Sequence, residues 1–180
     1  MERRVQHTAH LDWPFAEVCA VLENRGSTLL AEATKNAAAD ADNLVVEIEA
    51  DLHFFHLDED VSIVAGHLVR HSAERASLVL DWRAETRTRV LPNIDADLIV
   101  HAIIPRGQHA VTAISIVGNF AAPHGLIRGL EQVWFTRRVL DRVVVSFIDS
   151  LVRLIELELN AKSVTKPDER KASSSDVTAA

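Results

Sequence analysis

Residues 130–160 read LEQVWFTRRVLDRVVVSFIDSLVRLIELELN, and the period of this stretch decides the fold. Leu130, Val133, Leu140, Val144, Phe147, Leu151 and Ile155 recur three or four positions apart, once seven, and Trp134, Val143, Ile148, Val152 and Leu159 widen the stripe. That is the repeat of an α-helix with one broad apolar face. Arg137, Arg138, Arg142, Asp149, Arg153 and Glu156 occupy most of the remainder. Thirty residues at ~1.5 Å each make a rod of roughly 45 Å, and so wide a stripe is more than a surface helix needs. Gly125 and Gly129 mark a bend before the rod. Beyond Asn160 the chain turns polar and Ser-rich, too poor in apolar groups to offset the entropy of ordering. The sequence thus predicts one folded domain, 1–160, and a disordered tail, 161–180.

Upstream of the helix the period becomes two. Asn43 to Leu52 places Leu44, Val46, Ile48, Ala50 and Leu52 on one face and Glu47, Glu49 and Asp51 on the other, the clearest alternation in the chain. After the polar turn Leu57 to Asp60, a second strand puts Val61, Ile63, Ala65, His67 and Val69 on one face. Leu78, Leu80, Trp82 and Ala84 alternate with Ser77, Val79, Asp81 and Arg83, and Ile94, Ala96, Leu98, Val100, Ala102 and Ile104 alternate with Asp95, Asp97, Ile99, His101 and Ile103. Both patterns fit half-buried strands. A last strand, about Ala110 to Phe120, follows the turn Pro105-Arg106-Gly107, and its two faces are too alike to say which points inward.

At the N-terminus Val5, His7, Ala9 and Leu11 form the drier face of a first strand. Asp12 and Pro14 then start a helix: a carboxylate accepts orphan backbone N–H groups, and proline loses nothing in a first turn. Asn24-Arg25-Gly26-Ser27 ends that helix near Glu23, and the Ala-rich stretch Thr28 to Ala41 forms a second, short one.

Composition narrows the function classes. At 180 residues and 48% hydrophobic content the chain supports one sizeable core. A formal net charge of −7 argues against a partner whose phosphates must be neutralised, so no nucleic acid is expected. No run of about 18 apolar residues exists to span a bilayer, no secretory leader is evident, and the single cysteine, Cys19, has no partner within the chain. A cytoplasmic protein without stable membrane insertion is expected. Oligomeric state is left open.

In this order of elements, Trp82-Arg83-Ala84, then Leu91-Pro92-Asn93-Ile94-Asp95-Ala96-Asp97-Leu98, then Gly118-Asn119-Phe120-Ala121-Ala122-Pro123-His124-Gly125 with Gly129, carry a family likeness. From about Arg4 to Leu159 the chain resembles the START-like, or SRPBCC, superfamily of pollen-allergen-like and polyketide cyclase-like proteins, in an uncharacterised bacterial branch. The resemblance implies an α+β helix-grip fold: a curved antiparallel sheet of six or seven strands around a long C-terminal helix, with one or two short helices after the first strand. It also implies a cavity between sheet and helix, and it carries no catalytic motif.

Nine histidines raise the question of a metal site. His53 and His56 point to opposite faces of an extended segment, and His67 and His71, on one face, stand ~13 Å apart, too far for one ion. Neither a metal nor a cofactor is expected. Cys19, among Val18, Ala20, Val21 and Leu22, reads as a core thiol. His67 is the one polar group on its predicted apolar face, a weak candidate for a general base whose plainer reading is a satisfied histidine. The expected ligand-binding residues are Val46, Ile48, Ile63, His67, Leu80, Trp82, Leu98, Val100, Trp134 and Phe147. Almost wholly apolar, they favour binding or carrying a hydrophobic small molecule, such as a lipid, polyketide or aromatic compound, over catalysis. The alternatives are a polyketide cyclase or dehydratase using His67, and a protein-interaction domain with a collapsed cavity.

Overall fold

The structure is a computed structural model and describes residues 2–49, 61–84, 93–103, 111–121 and 130–164. Strand β1 (Glu2–Leu11) leads into helix α1 (Phe15–Glu49), then β2 (Val61–Ala65), β3 (Val69–Arg70), β4 (Arg75–Ala84), β5 (Asn93–Ile103), β6 (Val111–Ala121) and helix α2 (Leu130–Val164). The six strands form one antiparallel sheet in the order β1-β6-β5-β4-β2, with β3 also paired to β4. Strand, helix, meander and long C-terminal helix make a helix-grip-like α+β fold.

Register follows the alternation of the sequence. Leu98 pairs with Ile116 and Leu78, Val100 with Ile114 and Ala76, and Ala96 with Gly118 and Leu80. In an antiparallel sheet directly opposed residues share a face, so these rows define one apolar inner face. The last strand therefore turns Ile114 and Ile116 inward, and on β1 the inner residues are Val5, His7, Ala9 and Leu11, opposite Gly118, Ile116, Ile114 and Thr112. Outward lie Val79 and Val64, both exposed, with an Arg83 guanidinium that donates to Asp95 at 2.8 Å and pairs with Asp81.

Both helices contribute to the core over that inner face. On α2, Leu140, Val143, Val144, Phe147, Ile148, Leu151, Ile155 and Leu159 are buried. Each such side chain removed from water contributes about 1.5–3 kcal/mol. Helix α1 supplies Val18, Cys19, Leu22, Leu29, Leu30, Ala33 and Ala37 and packs along α2. The Arg25 guanidinium donates to Glu158, the Asn36 amide to the Ser150 hydroxyl at 2.8 Å, and the Ser146 hydroxyl to Asp40, so polar bonds edge the helix pair.

Several expectations are corrected. The chain does not break at Asn24-Gly26, and there are no two short helices: Phe15 to Glu49 is a single helix of 35 residues. Gly26 has open space around the position of a Cβ, and the Asn24 amide turns back to donate to the Ala20 carbonyl at 2.7 Å. A helix interior tolerates both residues at about 1 kcal/mol or less each, which packing against α2 overrides. The same helix takes up residues 43–49, so Val46 and Ile48 stand on α1 and on no strand. Continuing a formed helix adds one hydrogen bond per residue without a new nucleus, whereas a strand needs a neighbouring edge. The rest of that predicted strand lies outside the described residues, as do the turns at 57–60 and 105–107 and the bend at 125–129. Helix α2 runs to Val164, past the expected boundary at 160; Ser163 donates its hydroxyl to the Asn160 carbonyl at 2.7 Å and Lys162 suits a helix C-terminus. Residues 165–180 lie outside the described set.

Candidate functional site

The expected site residues converge, in part, on the layer between sheet and α2. Leu80, Trp82, Leu98 and Val100 are buried on the inner face, Ile63 lies partly buried opposite Trp82, and Phe147 meets them from α2. Trp82 and Phe147 pack edge to face, ring centroids 5.6 Å apart and planes at 72°. Such a pair is worth about 0.5–1.5 kcal/mol beyond its buried area. Trp134 belongs to α2, and Val46 and Ile48 to α1; the side chains of these three lie outside the described residues.

His67 is corrected in orientation. Strand β2 pairs with β4 in the register Ala65↔Leu80, and Gly66 still bonds the Val79 carbonyl at 2.8 Å, but β3 resumes as Val69↔Ser77. Three residues, 66 to 68, therefore span two on β4. This one-residue bulge reverses the alternation. Ile63 and Ala65 keep the inner face, while Val69 joins Ser77 outside and His67 is exposed. Gly66 was the signal in the sequence, since a glycine within a strand pattern marks such bulges.

The histidine that does face inward is His7 on β1, opposite Ile116 and partly exposed at the rim of the layer. Its Nε2 stands 3.9 Å from Asp149 Oδ1 of α2. The alternation of β1 placed it on the drier face, but its position at a sheet edge near α2 was not visible in the sequence.

Buried polar side chains among the described residues are otherwise matched. Thr34 donates to the Leu30 carbonyl at 2.8 Å, Thr112 to the Trp13 carbonyl at 2.6 Å, and the Thr8 and Ser115 hydroxyls are bonded at 2.8 Å. Asp81 Oδ1 makes no aligned hydrogen bond but lies against Arg83 Nε, so its charge is paired. The indole nitrogen of Trp82 is the exception: it is buried and bonds to no acceptor among the described residues.

Burial across the inner face is uneven. Leu98, Val100 and Ile114 are sealed at 0%, whereas Ala96 keeps 8% and its neighbour Gly118 is only partly buried. The backbone of β6 runs unusually close to β5 there: a Cβ on Gly118 would lie 2.4 Å from the Asp95 carbonyl oxygen. A separate groove of about 680 Å³ opens at the seam of the two helices, lined by Glu32, Asn36 and Asp40 of α1 and Arg142, Asp149 and Arg153 of α2. Ala39, Val145, Leu154 and Leu157 also line it, so it is mixed in character, and none of the apolar candidates takes part in its lining. Among the described residues no cluster of three metal-ligating side chains occurs, and no helix is long and apolar enough to cross a membrane.

No family model and no curated protein matches the sequence. Solved structures do. The Zhui aromatase/cyclase from Streptomyces sp. R1128 is similar at 14% identity and a TM-score of 0.41, over 90% of this chain and 98% of its own. A protein of Thermus thermophilus is similar at 11% identity and a TM-score of 0.38, over 87% and 99%. A protein of Rhizobium loti follows at 8% identity and a TM-score of 0.37, over 83% and 97%. At such values none of these likenesses bears on chemistry.

Proposed function

We propose that this protein binds a hydrophobic small molecule, of the lipid, polyketide or aromatic kind, between the inner face of the sheet and α2. The observation that carries the reading is that uneven inner face. Its described side chains, from Ile63 and Trp82 through Leu98 to Ile114, are apolar apart from one indole N–H, the Thr112 hydroxyl and the rim histidine, and while Leu98, Val100 and Ile114 are sealed, Ala9, Ile63, Ala65 and Gly118 are only partly buried. Small-molecule sites are mostly apolar concavities with few polar groups, and this surface fits that description. Binding is favoured over catalysis because the described interior offers no nucleophile paired with a base. His67, exposed beyond the bulge, lends no support to a general-base role.

The test is native mass spectrometry of the protein purified from its own host. The expected result is an apolar adduct of a few hundred daltons, released on denaturation. Protein found only at its bare mass, together with no saturable binding of 1-anilinonaphthalene-8-sulfonate, would overturn the proposal.

A further inference from the structure

The Trp82 indole N–H has no structural reason to be left unpaired. Every other buried polar side chain among the described residues has a partner: Thr34, Thr112 and Ser115 by hydrogen bond, Asp81 by its ion pair. Trp82 is 3% exposed, and its nitrogen meets no acceptor among the described residues. A phenylalanine would supply the same edge-to-face contact with Phe147 without burying a donor. Leaving that donor unmatched works against the fold, as losing one hydrogen-bond partner does elsewhere in proteins.

Direction and surroundings define what the donor meets. Trp82 stands on the inner face between Ile63 and Ile94, and its ring reaches Phe147 of α2, so the indole projects from the sheet into the layer between sheet and helix. Two residues along β5 from Ile94, roughly 7 Å away, lie Ala96 and its partner Gly118, the one inner-face residue without a side chain and itself only partly buried. Two aromatic rings, those of Trp82 and Phe147, suit a flat molecule, and an unpaired N–H can hold only an acceptor.

On the reading that this layer binds an apolar ligand, we infer that Trp82 Nε1 is its polar anchor, and that the ligand is a flat, ring-containing compound whose carbonyl oxygen accepts a hydrogen bond from the indole. This separates aromatic ketones from plain hydrocarbons and from saturated acyl chains. Trp82 acts as a binding residue and moves no proton.

Fluorenone and fluorene differ by one carbonyl oxygen on the same tricyclic frame and make the test. Wild-type protein should bind fluorenone roughly five- to tenfold more tightly than fluorene, the discrimination expected of one neutral hydrogen bond. The Trp82 indole proton should move downfield with fluorenone and not with fluorene in ¹⁵N–¹H spectra. Trp82→Phe should lose the preference for fluorenone over fluorene. The three indole resonances are assigned with Trp13→Phe and Trp134→Phe, so the wild-type shift decides even if Trp82→Phe folds poorly. Equal affinities for the two probes with an unmoved Trp82 resonance would overturn the anchor and leave the binding proposal standing. Binding of neither probe would also overturn the anchor, while the binding proposal stands or falls on the native mass spectrum.

Discussion

The thiol of Cys19 is fully buried on the core side of α1, and burial pushes it up from 9.0 to about 11; Arg70 pulls the other way and Glu23 adds to the rise. In the unfolded chain the thiol ionises near its ordinary value, so between about pH 9 and pH 11 the folded state holds a proton that the unfolded state has lost. The stability of the neutral buried thiol is therefore present below about pH 9 and is lost as pH rises toward 11, by up to roughly 3 kcal/mol. The chain has no tyrosine to titrate in that window. Urea midpoints measured at about pH 8 and about pH 10.5 should fall less for Cys19→Ala than for wild type; an equal fall would assign the alkaline loss to other groups. Gly118 makes a second prediction at this scale. Its absent Cβ would lie 2.4 Å from the Asp95 carbonyl oxygen and 2.5 Å from the Ala96 Cβ, and backbone does not yield as a side-chain end does. Gly118→Ala should cost about 1–3 kcal/mol in urea unfolding, as overpacking does. An unchanged midpoint would mean that β5 and β6 separate freely.

Among the elements, β4, β5 and the core of α2 were legible because one face of each is buried and the other wet. Leu78, Leu80 and Trp82 against Val79 and Asp81, and Leu98 and Val100 against Asp97, keep period two without a break, and the paired register follows it. Where the sequence misled, two periods competed or a residue was inserted. Leu44, Val46 and Ile48 alternate, yet the preceding turns carry Leu29, Leu30, Ala33 and Ala37 at helical spacing, and the helix set by their burial against α2 continues through Glu49. The bulge at 66–68 interrupts the expected strand and leaves His67 exposed instead of on the inner face. For the candidate site, the burial of Leu80, Trp82, Leu98, Val100 and Phe147 was readable from periodicity, whereas the unmatched indole nitrogen was not, because satisfaction of a donor depends on neighbours from other elements. The continuity of α1 is itself testable. Gly26 sits in a helix with nothing within 4 Å of a Cβ position, so Gly26→Ala should stabilise the protein by about 0.5–1 kcal/mol. A chain that turned at Asn24-Gly26 would instead be destabilised by the same change, and thermal unfolding of the two proteins side by side tells these apart.

At the scale of the whole molecule, one core joins sheet and helices, and Phe147 stands where its parts meet. It is 1% exposed, touches Trp82 across the layer, and lies on the α2 stripe between Val144 and Leu151. The polar bonds at the edges of the helix pair, Arg25 to Glu158 and Asn36 to Ser150, are solvent-exposed, and such ties contribute on the order of 1 kcal/mol or less. The grip on α2 must therefore come from its apolar face. Phe147→Ala removes a buried ring from that face and should cost about 3–5 kcal/mol. Because sheet and helix share that ring, helical circular dichroism and tryptophan fluorescence should lose signal at one common urea concentration in wild type and at one lower common concentration in the variant. If α2 instead melted ahead of the Trp82 environment in the wild-type protein, sheet and helix would be separately stable layers. A ligand between them would then bind by closing two bodies together, and its release would follow the opening of α2 from the sheet.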